Sequence, residues 1–274
     1  MIVLAGKSSG MPGGISVSRV YAVVNQKGGV AKTTTAINLA ACAALDEHTV
    51  LVVGADPQAN ATSGLGVDRD ELEYCLYDLI TRPDEAVSPM VDEVIVPTST
   101  PNLDLLPATL DLAGAQLELA NLIARERRLR RLLEPIRNLY DYIFIDTAPS
   151  LGLLTLNALA AADQVLIPIQ CEYYALEGLS QLMKVISLVQ AEINPSLTMG
   201  GAILTMYDAR TRLADDVVEE VRRNFHGTTF EAKIPRNVRV AASPSYGLPV
   251  VIHDRHCAGA AAYFRLYWEV IGDA

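Results

Sequence analysis

The sequence predicts an α/β fold: a doubly wound, mostly parallel sheet with helices on both faces. Three observations carry that prediction. Short apolar, β-branched runs alternate with stretches of helical spacing along most of the chain. A glycine-rich turn joins the first such run to the first helix, the place where an open parallel sheet receives an anion. The chain has 274 residues, 50% of them hydrophobic, with no internal repeat or Pro-rich linker, which suits one sizeable core. We expect a flexible lead-in over residues 1–18, rich in Gly and Ser and without a convincing cleavage site, and a single domain over residues 19–274.

In chain order, residues 20–24 read as a buried strand and 35–45 as a helix. Between them stand Asn25, Gln26, Lys27, Gly28, Gly29, Val30, Ala31, Lys32, Thr33 and Thr34. Backbone N–H groups of such a turn converge on an anion, the helix adds its positive dipole end and a lysine adds a full charge, so the natural ligand is a polyphosphate. The strict phosphate-loop pattern requires Gly where this chain has Gln26 and Ala31, while its Lys32-Thr33 core is intact. Residues 49–55 form a second strand, which makes a parallel crossover with its ligand edge at the strands' C-terminal ends. Asp56 stands at that edge, followed by Pro57 and a polar loop through Gln58, Asn60, Thr62 and Ser63 to Gly64 and Gly66. This is either a solvated turn or the holder of a water near a terminal phosphate.

Further along, residues 72–80 read as a short helix, 93–96 and 103–106 as strands, and 111–138 as one helix. Arg125, Arg127, Arg128, Arg130 and Arg131 crowd that helix as a solvated face or a polyanion surface, with Leu122, Leu129, Leu132 and Leu133 turned to the core. Residues 142–145 form a strand that ends on Asp146. A buried strand has little reason to finish on a bare carboxylate unless a cation or donor waits there, so Asp146 resembles a Walker B carboxylate serving Mg²⁺. A helix over 151–162, a strand over 164–169, a helix over 177–191 and a strand over 202–206 complete the alternation. The stretch 207–213 leads into a helix bearing Arg222 and Arg223, and 234–239 is a second basic loop. Their arginines form a phosphate-backbone patch or pair with Asp215, Asp216, Glu219 and Glu220; composition leaves both open. Residues 258–271 read as an amphipathic closing helix without a basic polar face, which disfavours docking on a membrane.

A formal net charge of −10 excludes a protein whose whole surface is a nucleic-acid footprint, so any DNA contact must be a local patch. Cys42, Cys75, Cys171 and Cys257 are scattered without a close pair, which argues against a zinc site or disulfide framework and for reduced thiols in a cytoplasm. No apolar run is long enough to span a bilayer.

Three motifs, Asn-Gln-Lys-Gly-Gly-Val-Ala-Lys-Thr-Thr-Thr (25–35), Asp-Pro-Gln-Ala-Asn-Ala-Thr-Ser-Gly-Leu-Gly (56–66) and Phe-Ile-Asp-Thr-Ala-Pro-Ser-Leu-Gly (144–152), make the sequence resemble the ParA/Soj partitioning ATPases, within the deviant Walker A superfamily that includes MinD. The stretches 172–178, 205–211 and 234–239 favour the Soj-like branch. The resemblance runs from about residue 20 to the C-terminus and implies a P-loop NTPase-like fold, ATP and Mg²⁺ as cofactors, and cytoplasmic, nucleoid-associated action. It implies that Lys27 reaches across an ATP-dependent homodimer to the partner's phosphates, that Lys32 neutralises the β- and γ-phosphates, and that Gly28, Gly29, Val30, Ala31, Thr33 and Thr34 cradle the nucleotide. Thr33 and Asp146 would serve the metal, Asp56 would position the attacking water, and Pro235 and Asn237 would lie near the adenine. Arg210 and Arg239 match positions that bind nonspecific double-stranded DNA, and a ParB/Spo0J-like protein would stimulate hydrolysis. Two positions depart from the family: Ala31 stands where Gly is usual, and Gly54 where Asp is common. They open the alternative of a hydrolysis-impaired nucleotide-binding scaffold; a MinD-like positioning ATPase is a further alternative, disfavoured by the closing helix.

Overall fold

A computed structural model describes residues 18–82, 90–173 and 178–272. Most of the expected lead-in therefore lies outside the described residues, as do positions 174–177 of the 172–178 stretch. Ser18 is described and buried, its carbonyl accepting from Arg137 Nη2 at 2.8 Å.

Eight strands form one sheet: β1 (Arg19–Val23), β2 (Val50–Ala55), β3 (Val96–Pro97), β4 (Leu103–Leu106), β5 (Tyr142–Thr147), β6 (Gln164–Gln170), β7 (Thr198–Tyr207) and β8 (Thr229–Pro235). Their spatial order is β3-β4-β2-β5-β1-β6-β7-β8, with every pair parallel except β3 with β4. The inner strands are buried on both faces because successive side chains feed two different cores. Val20, Ala22, Leu51, Val53, Ile143 and Ile145 face one core; Tyr21, Val23, Val50, Val52 and Phe144 face the other.

The helices are α1 (Lys32–Leu45), α2 (Asn60–Gly64), α3 (Leu76–Ile80), α4 (Val91–Val94), α5 (Ala115–Leu119), α6 (Arg128–Leu133), α7 (Leu153–Ala161), α8 (Leu179–Glu192), α9 (Arg212–Asn224), α10 (Val238–Ala242), α11 (Val250–His253) and α12 (Ala258–Ile271). Helices α1, α2, α11 and α12 cover the second core, while α3 and α5 to α9 cover the first. This is the doubly wound arrangement expected, with the strands' C-terminal ends gathered at one edge. Among the described residues no helix is long and apolar enough to cross a membrane.

Three local expectations are corrected. Of residues 93–96 only Glu93 and Val94 are helical, closing α4, where the Glu93 carboxylate caps the Met90 amide at 2.6 Å. Only Val96–Pro97 is strand. The helix expected over 111–138 is broken into short helical segments: Ala124 is left-handed at φ 50° and Pro135 lacks an amide proton. Within it Arg128 is buried, donating to the Ile80 carbonyl at 3.1 Å and to the Arg82 carbonyl, so it belongs to the fold and not to a solvated face. Strand β8 lies where part of a basic loop was expected; Phe230, Ala232 and Ile234 alternate inward and build the sheet edge.

Candidate functional site

Strand β1 delivers the chain to the C-terminal edge, where side chains and turns shape residues 25–34. Asn25 anchors the entry, its Nδ2 donating to the Pro168 carbonyl at 2.7 Å and its Oδ1 accepting from the Lys27 amide at 2.9 Å. Thr205 Oγ1 of β7 donates to the Val30 carbonyl at 3.2 Å. Gly29 is left-handed at φ 73°, and Ala31, the N-cap of α1, is left-handed at φ 68° and ψ 34°. An alanine there costs about 1–2 kcal/mol that a glycine avoids. Ala31→Gly is accordingly expected to raise apo stability by about 1 kcal/mol, or roughly 3 °C in melting temperature. A lower melting temperature would show that this strain is absent.

Lys32 is buried, and its Nζ folds back to the Lys27 carbonyl at 3.2 Å. Burial pushes its pKa down, while Asp146 and Asp56 pull it up. Asp146 closes β5, fully buried, and neither carboxylate oxygen finds a hydrogen-bond partner. Burial pushes its pKa up to about 7; the nearby Thr33 side chain acts downward, Asp56 adds to the rise and Lys32 opposes it. Asp56 is also buried, its Oδ1 accepting from the Gln58 amide at 3.0 Å, which fixes the direction of the carboxylate.

These groups border a cavity of about 500 Å³, large enough for a small organic ligand. Gly29, Ala31, Lys32, Thr33, Thr34 and Asp56 line it, as do Pro235 and Asn237. Gly28 is exposed at the loop crest and Val30 is buried in the fold; neither is among the lining residues. The half-buried Lys27 stands outside the lining, joined to it through its carbonyl. Asp146 lies behind Lys32 and Thr33. Arg210 and Arg239 lie outside the cavity, on the loop after β7 and on α10.

Met206, Pro244 and Tyr263 line the cavity and were not expected there from the sequence. Met206 has φ 51°, a rare angle for a side chain of that size, at the strand edge where ligands gather. Tyr263 of α12 is fully buried, with its hydroxyl 3.5 Å from Thr35 Oγ1. Next to the lining residues Ser63 and Pro244, two left-handed glycines meet back to back: a Cβ on Gly247 would fall 2.6 Å from Gly66 Cα, and one on Gly66 would fall 2.9 Å from the Gly247 carbonyl oxygen. Gly54 pairs in register with Asp146, and a Cβ there would sit 3.3 Å from both Cβ and N of Ala108. Ala108 is itself clamped by Thr62, whose hydroxyl donates to its carbonyl and accepts from its amide.

The arrangement suits a polyanion at the loop and a hard cation beside Asp146. A buried carboxylate with both oxygens unsatisfied, next to a threonine, is the oxygen donor set that Mg²⁺ takes. Comparison with known proteins agrees with this chemistry. A family model described as an AAA domain matches residues 18–199. The sporulation initiation inhibitor protein Soj of Bacillus subtilis is 49% identical over 254 residues, covering 93% of this chain and 98% of its own. The chromosome partitioning protein ParA of Myxococcus xanthus is 50% identical over 264 residues, covering 96% and 91%. A cobyrinic acid a,c-diamide synthase from Mycobacterium smegmatis, solved with a bound ATP analogue and magnesium, superposes with a TM-score of 0.76 at 38% identity, covering 84% of this chain and 93% of that one.

Proposed function

The chain belongs to the ParA/Soj family of chromosome-partitioning ATPases, and from that premise we propose that it is an ATP-driven switch for moving DNA. The observation that carries this reading is the orphaned carboxylate of Asp146 beside the buried Lys32 that lines the cavity. Low-dielectric surroundings make an unpaired carboxylate costly, and a divalent cation offsets that cost. Thr33 and Asp146 would hold Mg²⁺, which when bound supplies charge neutralisation between the phosphate oxygens.

Lys32, with the amides of residues 28–34, takes the phosphates, and Pro235 and Asn237 border the base. Asp56, its carboxylate turned by the Gln58 amide, orients the attacking water. Lys27, at the mouth of the loop, serves the partner site in an ATP-dependent homodimer. Arg210 and Arg239 hold nonspecific double-stranded DNA, a ParB/Spo0J-like protein stimulates an otherwise slow hydrolysis, and the protein works on the nucleoid in the cytoplasm, away from membranes. Residues 19–274 act as one domain.

Co-sedimentation with DNA of arbitrary sequence in ATP, ADP or no nucleotide tests the switch. ATP-dependent binding supports it; binding indifferent to nucleotide refutes it. Arg210→Ala with Arg239→Ala is expected to weaken DNA binding at least about tenfold and leave ATP binding unchanged. Loss of both activities would point to misfolding, which a melting curve separates. The scaffold reading is favoured by Ala31 and Gly54. It fails if the wild-type chain turns over ATP with DNA and partner present. Gly54→Asp is a blunt restoration, since its Cβ must first displace the clamped Ala108.

A further inference from the structure

Arg210 and Arg239 each hold a carboxylate of their own chain. Nε and Nη2 of Arg210 donate to the two oxygens of Asp208 at 2.8 and 2.7 Å, a bidentate pair. Arg239 Nε lies 3.5 Å from Asp254 Oδ2. Neighbouring arginines repeat the pattern: Arg212 lies 3.9 Å from Asp216, Arg222 is 2.5 Å from Glu231, and Arg236 pairs with Glu172. The loops after β7 and β8 are joined by the Arg236 amide, which donates to the Tyr207 carbonyl at 3.0 Å. Positive charge on these loops is therefore compensated locally.

In the pairs of Arg210 and Arg239 the arginine is the more exposed partner. The Arg210 side chain is 86% exposed against 23% for Asp208, and Arg239 is 65% exposed against 32% for Asp254. Asp208 is rooted by its turn, its carbonyl accepting from both the amide and the hydroxyl of Thr211 at 3.0 Å. Arg210 holds the Asp208 carboxyl down to about 2, so protonation does not release the pair near neutral pH. A phosphate arriving here meets a guanidinium that a fixed carboxylate already holds by two of its nitrogens.

We propose that Asp208 and Asp254 are internal competitors for DNA phosphate, which keep the grip of one protomer weak so that DNA is held only when two patches act together. The inference rests on the reading of Arg210 and Arg239 as DNA-binding residues. An exposed ion pair is a small obstacle, about two- to fivefold in affinity. Joining two weak patches multiplies their hold without any new contact, so a weak patch gives a sharp dependence on dimerisation.

The test uses the full chain carrying Asp208→Asn, Asp254→Asn or both, with a duplex of arbitrary sequence at low salt in Mg-ATP and in Mg-ADP. Asparagine keeps an oxygen for the Arg210 amide, which Asp208 Oδ1 accepts at 3.1 Å, and an unchanged melting temperature verifies the fold. In Mg-ADP each single variant is expected to bind DNA about two- to fivefold tighter and the double variant about tenfold tighter, with the larger gain in Mg-ATP, where the improvements of two patches multiply. In an Arg210→Ala background, Asp208→Asn should add nothing. Wild-type affinity in the variants, or a gain that survives the loss of Arg210, overturns the competition while leaving DNA binding in place. Absence of DNA binding by the wild type and the double variant in both nucleotides overturns the DNA-binding reading itself, and the competition with it.

Discussion

Asp146→Asn is expected to make the nucleotide-free protein more stable and its nucleotide binding indifferent to Mg²⁺. The wild-type carboxyl is raised from 3.8 to about 7, with burial as the main cause. The folded state thus keeps a proton that the unfolded chain has already released. Folding stability falls as pH rises across that window and stays low above it. The full shift corresponds to roughly 4 kcal/mol, of which a buried and imperfectly satisfied asparagine recovers about half. At pH 8 the variant should therefore gain about 2 kcal/mol, and its melting temperature should be flat between pH 5 and 8 where the wild type declines. Added Mg²⁺ should stabilise the ATP-bound wild type further and leave the ATP-bound variant unmoved. Differential scanning fluorimetry across pH, with and without Mg²⁺, reads both effects. A variant that melts lower than wild type at pH 8, or keeps its Mg²⁺ response, would remove Asp146 from the metal site.

Lys32→Ala should abolish nucleotide binding. Nζ is buried, directed by the Lys27 carbonyl and flanked by Asp146 and Asp56, so no water or neighbouring cation substitutes for it when phosphate arrives. Losing a charge-assisted contact of this kind costs roughly 3 kcal/mol, or about 100-fold in affinity. Lys32→Arg should fare little better. A planar guanidinium is bulkier than an ammonium and cannot fold back under the loop to the same carbonyl. Titration calorimetry with ATP and Mg²⁺ measures the loss, and melting of the nucleotide-free variants shows that they still fold. Retained binding in Lys32→Ala would move the phosphate site away from this loop.

The parts of the fold that were legible in the sequence are those where one period runs unbroken. The strand before Asn25, the helix through Leu39 and Ala43, and the closing helix Ala258–Ile271 each carry a single pattern, and the last has the expected bounds. The stretch 111–138 carries helical spacing too, but the left-handed Ala124 redirects the chain in a way that composition does not signal. Strand β8 escaped because Arg236 and Arg239 of the basic stretch 234–239 drew attention to charge and hid the inward alternation of Phe230, Ala232 and Ile234. At the site, Lys32, Thr33, Asp56 and Asp146 were legible because their chemistry is tied to a local turn or a strand end. Met206 and Tyr263 were not, since they reach the cavity from β7 and from the last helix. Only tertiary packing makes them neighbours of the loop.

The contact of Gly66 with Gly247 bears on how such a chain can evolve. Each glycine forbids a side chain on the other, so no first step at either position is neutral and no second step at its partner restores the fit. Drift in this part of the molecule is therefore channelled away from this contact and toward positions such as Met206, Val240 and Pro244, whose side chains line the cavity. Relatives with an altered ligand preference are to be sought by variation at those three positions, beside a glycine contact that stays the same.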